Sequence, residues 1–184
     1  MFQHHRNRLL IFFLMASVFF TGFVCNESPT SPIVTDGDAY AVYSVVLNSI
    51  SGDYSPVFVL SDSTVGWNIA DRVEYLDKSF PDLKPETLID YGFSNRRSKR
   101  LKRIPDLEIT CHLIPHDEED QWKEKYPDAN ALIHLSQAGF DRHREQALVY
   151  ISQYVGPLAA YGRLILLEKR ETWFIVQNEI IWMS

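Results

Sequence analysis

Cysteine is scarce in this chain. Only Cys25 and Cys111 occur in 184 residues, so no disulfide framework is available and stability must come from packing. Catalytic signatures are missing as well. There is no Gly-x-Ser-x-Gly elbow, no His-Glu-x-x-His, no phosphate-binding loop and no dinucleotide fingerprint. Their absence removes the motif-defined hydrolases, zinc proteases and nucleotide-binding enzymes as first expectations. No internal repeat is evident, and low complexity is confined to one short Ser/Pro stretch, so neither a solenoid nor a disordered chain is indicated. Positive charge is also in deficit, with 18 Lys+Arg against 24 Asp+Glu. Such an acidic balance speaks against nucleic acid as a partner.

What is present begins with a leader. Residues 1–8 carry Arg6 and Arg8 and no acid, and Leu9 to Phe20 is apolar apart from Ser17. A basic start, a short apolar middle and a turn to polar residues predict a signal peptide or lipoprotein signal over 1–25. Leu9 to Val24 is short of the ~20 residues that span a bilayer, which leaves an uncleaved anchor as an alternative. Cys25 is the lipidation candidate, and residues 26–35 read as a flexible Ser/Pro tether. Against lipidation, Gly22 and Val24 stand where lipoprotein signals place Leu and a small residue. No Ala-x-Ala marks a simple secretory cut either. Without the two leader arginines the remainder carries 16 basic and 24 acidic residues, a net charge of −8. The expected compartment is the cell envelope, lipid-anchored or periplasmic, or the medium.

Residues 36–184 are expected to form a single α+β domain. Thr35 or Asp36 can cap a helix running to about Ile50. Its apolar stripe is Ala39, Val42, Tyr43, Val46, Leu47 and Ile50, the spacing of a helix laid on something flat; Gly52 should end it. Val57 to Leu60 reads as a buried strand followed by Asp62, Ser63 and Thr64, which either line a cleft or cap a turn. Ile69 to Phe80 reads as a second helix closed by Pro81, and Pro85 starts a short helix carrying Leu88 and Ile89. Leu107 to Ile114 reads as a strand and Asp117 to Tyr126 as an acidic helix. Ala131 to Ser136, Gln146 to Tyr154, Gly162 to Lys169 and Trp173 to Met183 then read as four strands with turn residues between them. Short connections predict an antiparallel meander, with the N-terminal amphipathic helix packed across it. The shape is analogous to cystatin-like or nuclear-transport-factor-2-like (NTF2-like) folds.

The C-terminal residues Ser136-x-x-Gly139-Phe140-Asp141, Gln146-Ala147-Leu148-Val149-Tyr150, Gly156-Pro157-Leu158, Gly162, Leu166-Leu167-x-Lys169, Trp173 and Trp182-x-Ser184 carry a resemblance. The pattern resembles a family of small exported bacterial proteins with no established activity. The resemblance covers about the last fifty residues well and the first half loosely, and it implies fold and compartment only. Family members often carry cysteines flanking the glycine turn; Val155 and Ala159 or Ala160 stand near those places here. Read on their own, Gly156, Pro157 and Gly162 suit a tight or bulged connection, and Trp173 and Trp182 suit a small core.

Three groups of residues could carry chemistry. Cys111, His112, His116 and Asp117 to Asp120 combine metal-ligating types, yet in a strand Cys111 and His112 point to opposite faces. No metal or cofactor is therefore expected, and the acids suit a helix N-terminus. Ser136 with His134 or His143 would be a nucleophile and base, but no spacing demands it. Arg96, Arg97, Lys99, Arg100, Lys102 and Arg103 form the strongest local charge feature. That run is a candidate contact for a membrane or an acidic partner, or a solvated loop, or the counter-charge to Asp117 to Asp120. The leading expectation is non-catalytic binding or structural association. Alternatives are a small-ligand pocket inside a curved sheet, lined by Tyr150, Tyr154, Tyr161 and Phe174, and a metal-dependent hydrolase-like enzyme using Cys111 to Asp120.

Overall fold

Asp36 opens the first helix because its carboxylate accepts a hydrogen bond from the Ala39 N–H at 3.4 Å, covering one of the amides a helix start leaves bare. The structure is a computed structural model and describes residues 36–50, 57–66, 76 and 78–184. Helix α1 spans Gly37–Ser49, with Ile50 as its C-cap. The leader, the tether, Cys25, Gly52 and most of the expected 69–80 helix lie outside the described residues. Of that second helix, Leu76, Lys78 and Ser79 are helical, and the Phe80 N–H donates to the Leu76 carbonyl at 2.7 Å.

The next elements are β1 (Val57–Ser61), α2 (Pro85–Ser94), β2 (Thr110–Ile114), a 3-10 segment (His116–Gln121), α3 (Trp122–Lys125) and β3 (Ala131–Leu135). They are followed by β4 (Gly139–Phe140), β5 (Gln146–Gly156), β6 (Ala159–Lys169) and β7 (Trp173–Met183). Among the described residues these seven strands make one sheet in the order β2-β1-β3-β5-β6-β7, with β4 paired to β5. The expected meander is present as β3-β5-β6-β7, antiparallel throughout. It is extended beyond β3 by β1 and β2, which run parallel to their neighbours. The sheet is therefore mixed.

Several expected boundaries move. The strand expected from Leu107 starts at Thr110. Asp106, at φ 53, turns the chain there, and Asn48 holds the turn by donating to the Asp106 carbonyl and accepting from the Glu108 N–H. The acidic helix is instead the 3-10 segment followed by the four-residue α3. The expected Gly156-Pro157 turn is tight, and bulges occur at Tyr154/Gly156 and Gly162/Arg163.

Alternation along the strands gives both faces of the sheet an apolar surface. Phe58, Leu60, Ile133, Val149, Ile151, Ile165 and Leu167 pack with Val42, Tyr43, Val46 and Leu47 of α1. Full burial of each such side chain contributes about 1.5–3 kcal/mol. On the other face Leu148, Tyr150, Leu164 and Leu166 pack with Leu76, Phe80 and, from α2, Tyr91. Beyond them, Val59 and Leu132 pack with Trp122 of α3. Asp36–Ser184 is one compact unit with its own core. Trp173 belongs to that core, whereas Trp182 is 37 % exposed and lies over Gly162 at the sheet edge.

Candidate functional site

The basic run is built on two apolar anchors. Leu101 and Ile104 are buried and enter the core under α1, so the residues between and before them must lie across the surface. There the backbone is held at several points. The Thr64 N–H donates to the Lys99 carbonyl at 2.9 Å and the Leu101 N–H to the Asp62 carbonyl at 2.6 Å, with Ser63 and Arg100 in an antiparallel bridge. The Lys99 N–H donates to Thr64 Oγ1 at 2.8 Å, and Ser98 Oγ donates to the Thr64 carbonyl at 2.7 Å. Farther along, the Lys102 N–H donates to the Tyr40 hydroxyl at 2.8 Å.

At its start the run is joined to the loop after β3. Asn95 Nδ2 donates to the Tyr91 and Gln137 carbonyls, and Asn95 Oδ1 accepts from the Gln137 N–H at 2.8 Å. Gln137 Nε2 in turn donates to the Ser94 and Arg97 carbonyls. Asp62, Ser63 and Thr64, which the sequence left between cleft and cap, are thus the clamp of this segment. Asp62 is buried; its Oδ2 accepts from Arg100 Nε at 2.7 Å and its Oδ1 from the His116 N–H at 3.1 Å.

The side chains follow a different rule from the backbone. Arg96, Arg97, Lys99, Arg100, Lys102 and Arg103 are all exposed. Of these six, only Arg100 has an ion pair among the described residues, and its partner is Asp62. The counter-charge expected from Asp117 to Asp120 does not form there: Glu118 pairs with Lys125, and Glu119 with His116 and His134. Arg96 lies 4.2 Å over the Phe93 ring. Phe93, Arg96, Arg97 and Lys99 line one shallow depression of about 420 Å³. On the helix that precedes the run, Ile89 is 58 % exposed and Phe93 is 56 % exposed.

A second polar group lies where β1, β2 and β3 end. Glu119 Oε1 meets His116 Nδ1 at 2.9 Å, and Glu119 Oε2 meets His134 Nε2 at 3.0 Å. Burial opposes the charge on Glu119, but hydrogen bonds from Ser61, His134 and His116 outweigh it and hold the carboxyl below its ordinary range. The same carboxylate raises the His116 imidazole above its usual 6.5. Each imidazole aims at a different oxygen. Among the described residues no group of three or more His, Cys, Asp or Glu is placed to hold a metal ion. The grouping was hidden in the sequence, where His134 read as one more strand residue. Its signal was a polar side chain two residues after Leu132 on an apolar face.

The remaining candidates are dispersed. Cys111 turns toward the core, where burial pushes its thiol up to about 11. His112 stacks on Tyr126 with ring centroids 4.6 Å apart, and Tyr126 packs beside Val59 and Trp122 on the other face. Ser136 Oγ accepts from the Tyr150 N–H and donates to the Gln137 carbonyl, so its hydroxyl serves the backbone. His143 is exposed in the 141–144 turn. The four aromatic rings do not gather. Tyr150 is buried and its hydroxyl accepts from Trp182 Nε1, Tyr154 meets Trp122 edge-on, and Tyr161 and Phe174 lie beneath Arg163 and Arg170.

Comparison with protein families, with curated proteins and with solved structures finds no match to this chain. Among the described residues no helix is long and apolar enough to cross a membrane.

Proposed function

We propose that this is an exported cell-envelope or secreted domain that works by association without catalysis, through the basic face formed by residues 96–103. The observation that carries this reading is a contrast within one segment. Its backbone is clamped by Asp62, Thr64, Asn95 and Gln137, while five of its six cations have no ion pair among the described residues. A clamped backbone reduces the ordering cost of meeting an anionic surface. On a chain of net charge −6, a like-signed cluster of this kind supports a local contact better than a general affinity for polyanions. The mature N-terminus, with Cys25 lipidated, removed or retained in an anchor, sets whether the domain is tethered or free; mass spectrometry of the exported product distinguishes these.

The test is salt-dependent retention of the purified protein on an immobilised polyanion. Retention at low salt, abolished by joint Arg96→Glu, Arg97→Glu and Lys99→Glu substitution with the fold intact by circular dichroism, is the expected result. Equal retention of the charge-reversed protein removes the reading. A second reading has its own observation: a groove of about 520 Å³ bounded by Glu119, Trp122, Leu132 and Tyr154 favours a small ligand on the face of the sheet. Perturbation of those resonances by a small-molecule library, with the basic face unaffected, would favour it.

A further inference from the structure

Helix α2 has two apolar stripes where a surface helix needs one. Thr87 and Tyr91 face inward and are fully buried. Ile89 and Phe93, one turn apart on the opposite side, stand more than half exposed. That outer stripe continues into the basic run. Arg96 lies over the Phe93 ring, and Arg97 and Lys99 share its depression. Exposed large apolar groups are ordinary when scattered. Here two are aligned on one helix and end at Arg96, Arg97 and Lys99, which have no ion pair among the described residues. The acids on the same helix are Glu86, exposed one turn before Ile89, and Asp90, whose Oδ2 is engaged by the Phe140 N–H at 2.8 Å.

We infer that Ile89, Phe93, Arg96, Arg97 and Lys99 form a docking face for an anionic lipid surface, the two apolar side chains entering the acyl boundary while the cations meet headgroup phosphates. The inference rests on the association reading above and specifies its partner. Charge complementarity favours lipid over a neutral surface, since each Lys or Arg near an anionic leaflet strengthens binding about fivefold. The protruding apolar pair favours lipid over a soluble acidic partner, because interfacial binding scales with apolar area inserted beside basic residues. Chain length agrees: the ten residues 26–35 reach at most about 35 Å, so a domain held by the leader end stays within reach of the bilayer.

The experiment is co-sedimentation of the chain from Asn26 onward, which contains the whole compact unit, with vesicles of phosphatidylglycerol and phosphatidylcholine or of phosphatidylcholine alone. A soluble polyanion column runs in parallel. The wild-type protein should bind the anionic vesicles, weaken with salt and leave the neutral vesicles unbound. Joint Ile89→Ser and Phe93→Ser substitution removes two half-exposed apolar groups and should weaken vesicle binding roughly thirtyfold, leaving polyanion retention unchanged. Joint Arg96→Glu, Arg97→Glu and Lys99→Glu should lose both. Vesicle binding that is indifferent to Ile89 and Phe93, or polyanion retention without vesicle binding, overturns the lipid inference while the association reading stands. Absence of binding to either overturns both.

Discussion

Adding one methyl group at Gly139 and at Gly162 should have very different consequences, although both glycines lie in strands of the same sheet. A Cβ on Gly139 would come under 3.0 Å from the N, Cα and Cβ of Tyr91. The obstacle is the backbone of α2, which cannot swing aside and can only lift off β4. Overpacking of this kind costs typically 1–3 kcal/mol. Lifting α2 also strains the hydrogen bond from the Phe140 N–H to Asp90, about 1 kcal/mol more, so Gly139→Ala should lose about 2–4 kcal/mol. A Cβ on Gly162 meets the Trp182 indole instead. That ring is 37 % exposed and can rotate outward, giving up its bond to the Tyr150 hydroxyl. The loss of about 1–2 kcal/mol is partly offset by the ~0.4–1 kcal/mol that Gly→Ala takes from the unfolded chain's entropy. Urea unfolding followed by far-ultraviolet circular dichroism, with equal slopes for the three proteins, measures the gap. A Gly139→Ala protein within 1 kcal/mol of wild type, or a Gly162→Ala protein that is the less stable of the two, would refute the reasoning.

Three other outcomes follow from the ionisable groups. Asp38 accepts from Lys169, Arg144 and Trp173, and these bonds, the Lys169 one first, hold its carboxyl below 3.8; the stability it contributes is present above that pH and lost as pH falls through the lowered value. Asp38→Asn should therefore be less stable than wild type by about 1–2 kcal/mol at pH 7, with the difference in melting temperature shrinking below pH 4. His116 should titrate above 6.5 by nuclear magnetic resonance and return toward it in Glu119→Gln, since its raised value stabilises the fold below about 6.5 and that contribution disappears as pH rises through the raised value. Cys111, with its thiol pushed up to about 11, should react with a thiol reagent at pH 8 roughly two-hundredfold more slowly than an ordinary cysteine of pKa ~8.5; labelling at the ordinary rate would mean the site opens readily.

Much of the fold was legible because it is written in local periodicity. The α1 stripe and the alternation from Gln146 to Met183 each repeat several times, and Asp141 to Arg144, Pro157 and Arg170 to Thr172 punctuate them. Strands β1 and β2 were harder to place, since five-residue strands name no neighbour. Their parallel pairing, Val57 to Thr110 and Phe58 to Ala131, depends on groups far apart in the chain. Cys111 and His112 were readable as facing opposite ways from the pleat alone. The basic run was visible as charge, but its clamp was not: Asn95 and Gln137 are 42 residues apart. Ile89 and Phe93 were missed for another reason. In a ten-residue helix with Leu88, Ile89, Tyr91 and Phe93, periodicity defines two stripes and does not say which one faces the sheet.

The position of β1 has a consequence for how the chain acquires its structure. It is an inner strand, yet neither neighbour reaches it through a hairpin; the Asn130 side chain that receives the Val57 N–H is 73 residues away. Closing such loops before any pairing is gained is slow. A chain emerging from its N-terminal end offers β1 only the short edge strand β2 until β3 has appeared, and β3 in turn pairs with β5. The C-terminal hairpins can form early, as local pairs do, and act as the template on which the first half settles last. The sheet can therefore be completed only once almost the whole sequence is available, and partly made chains lack the finished core.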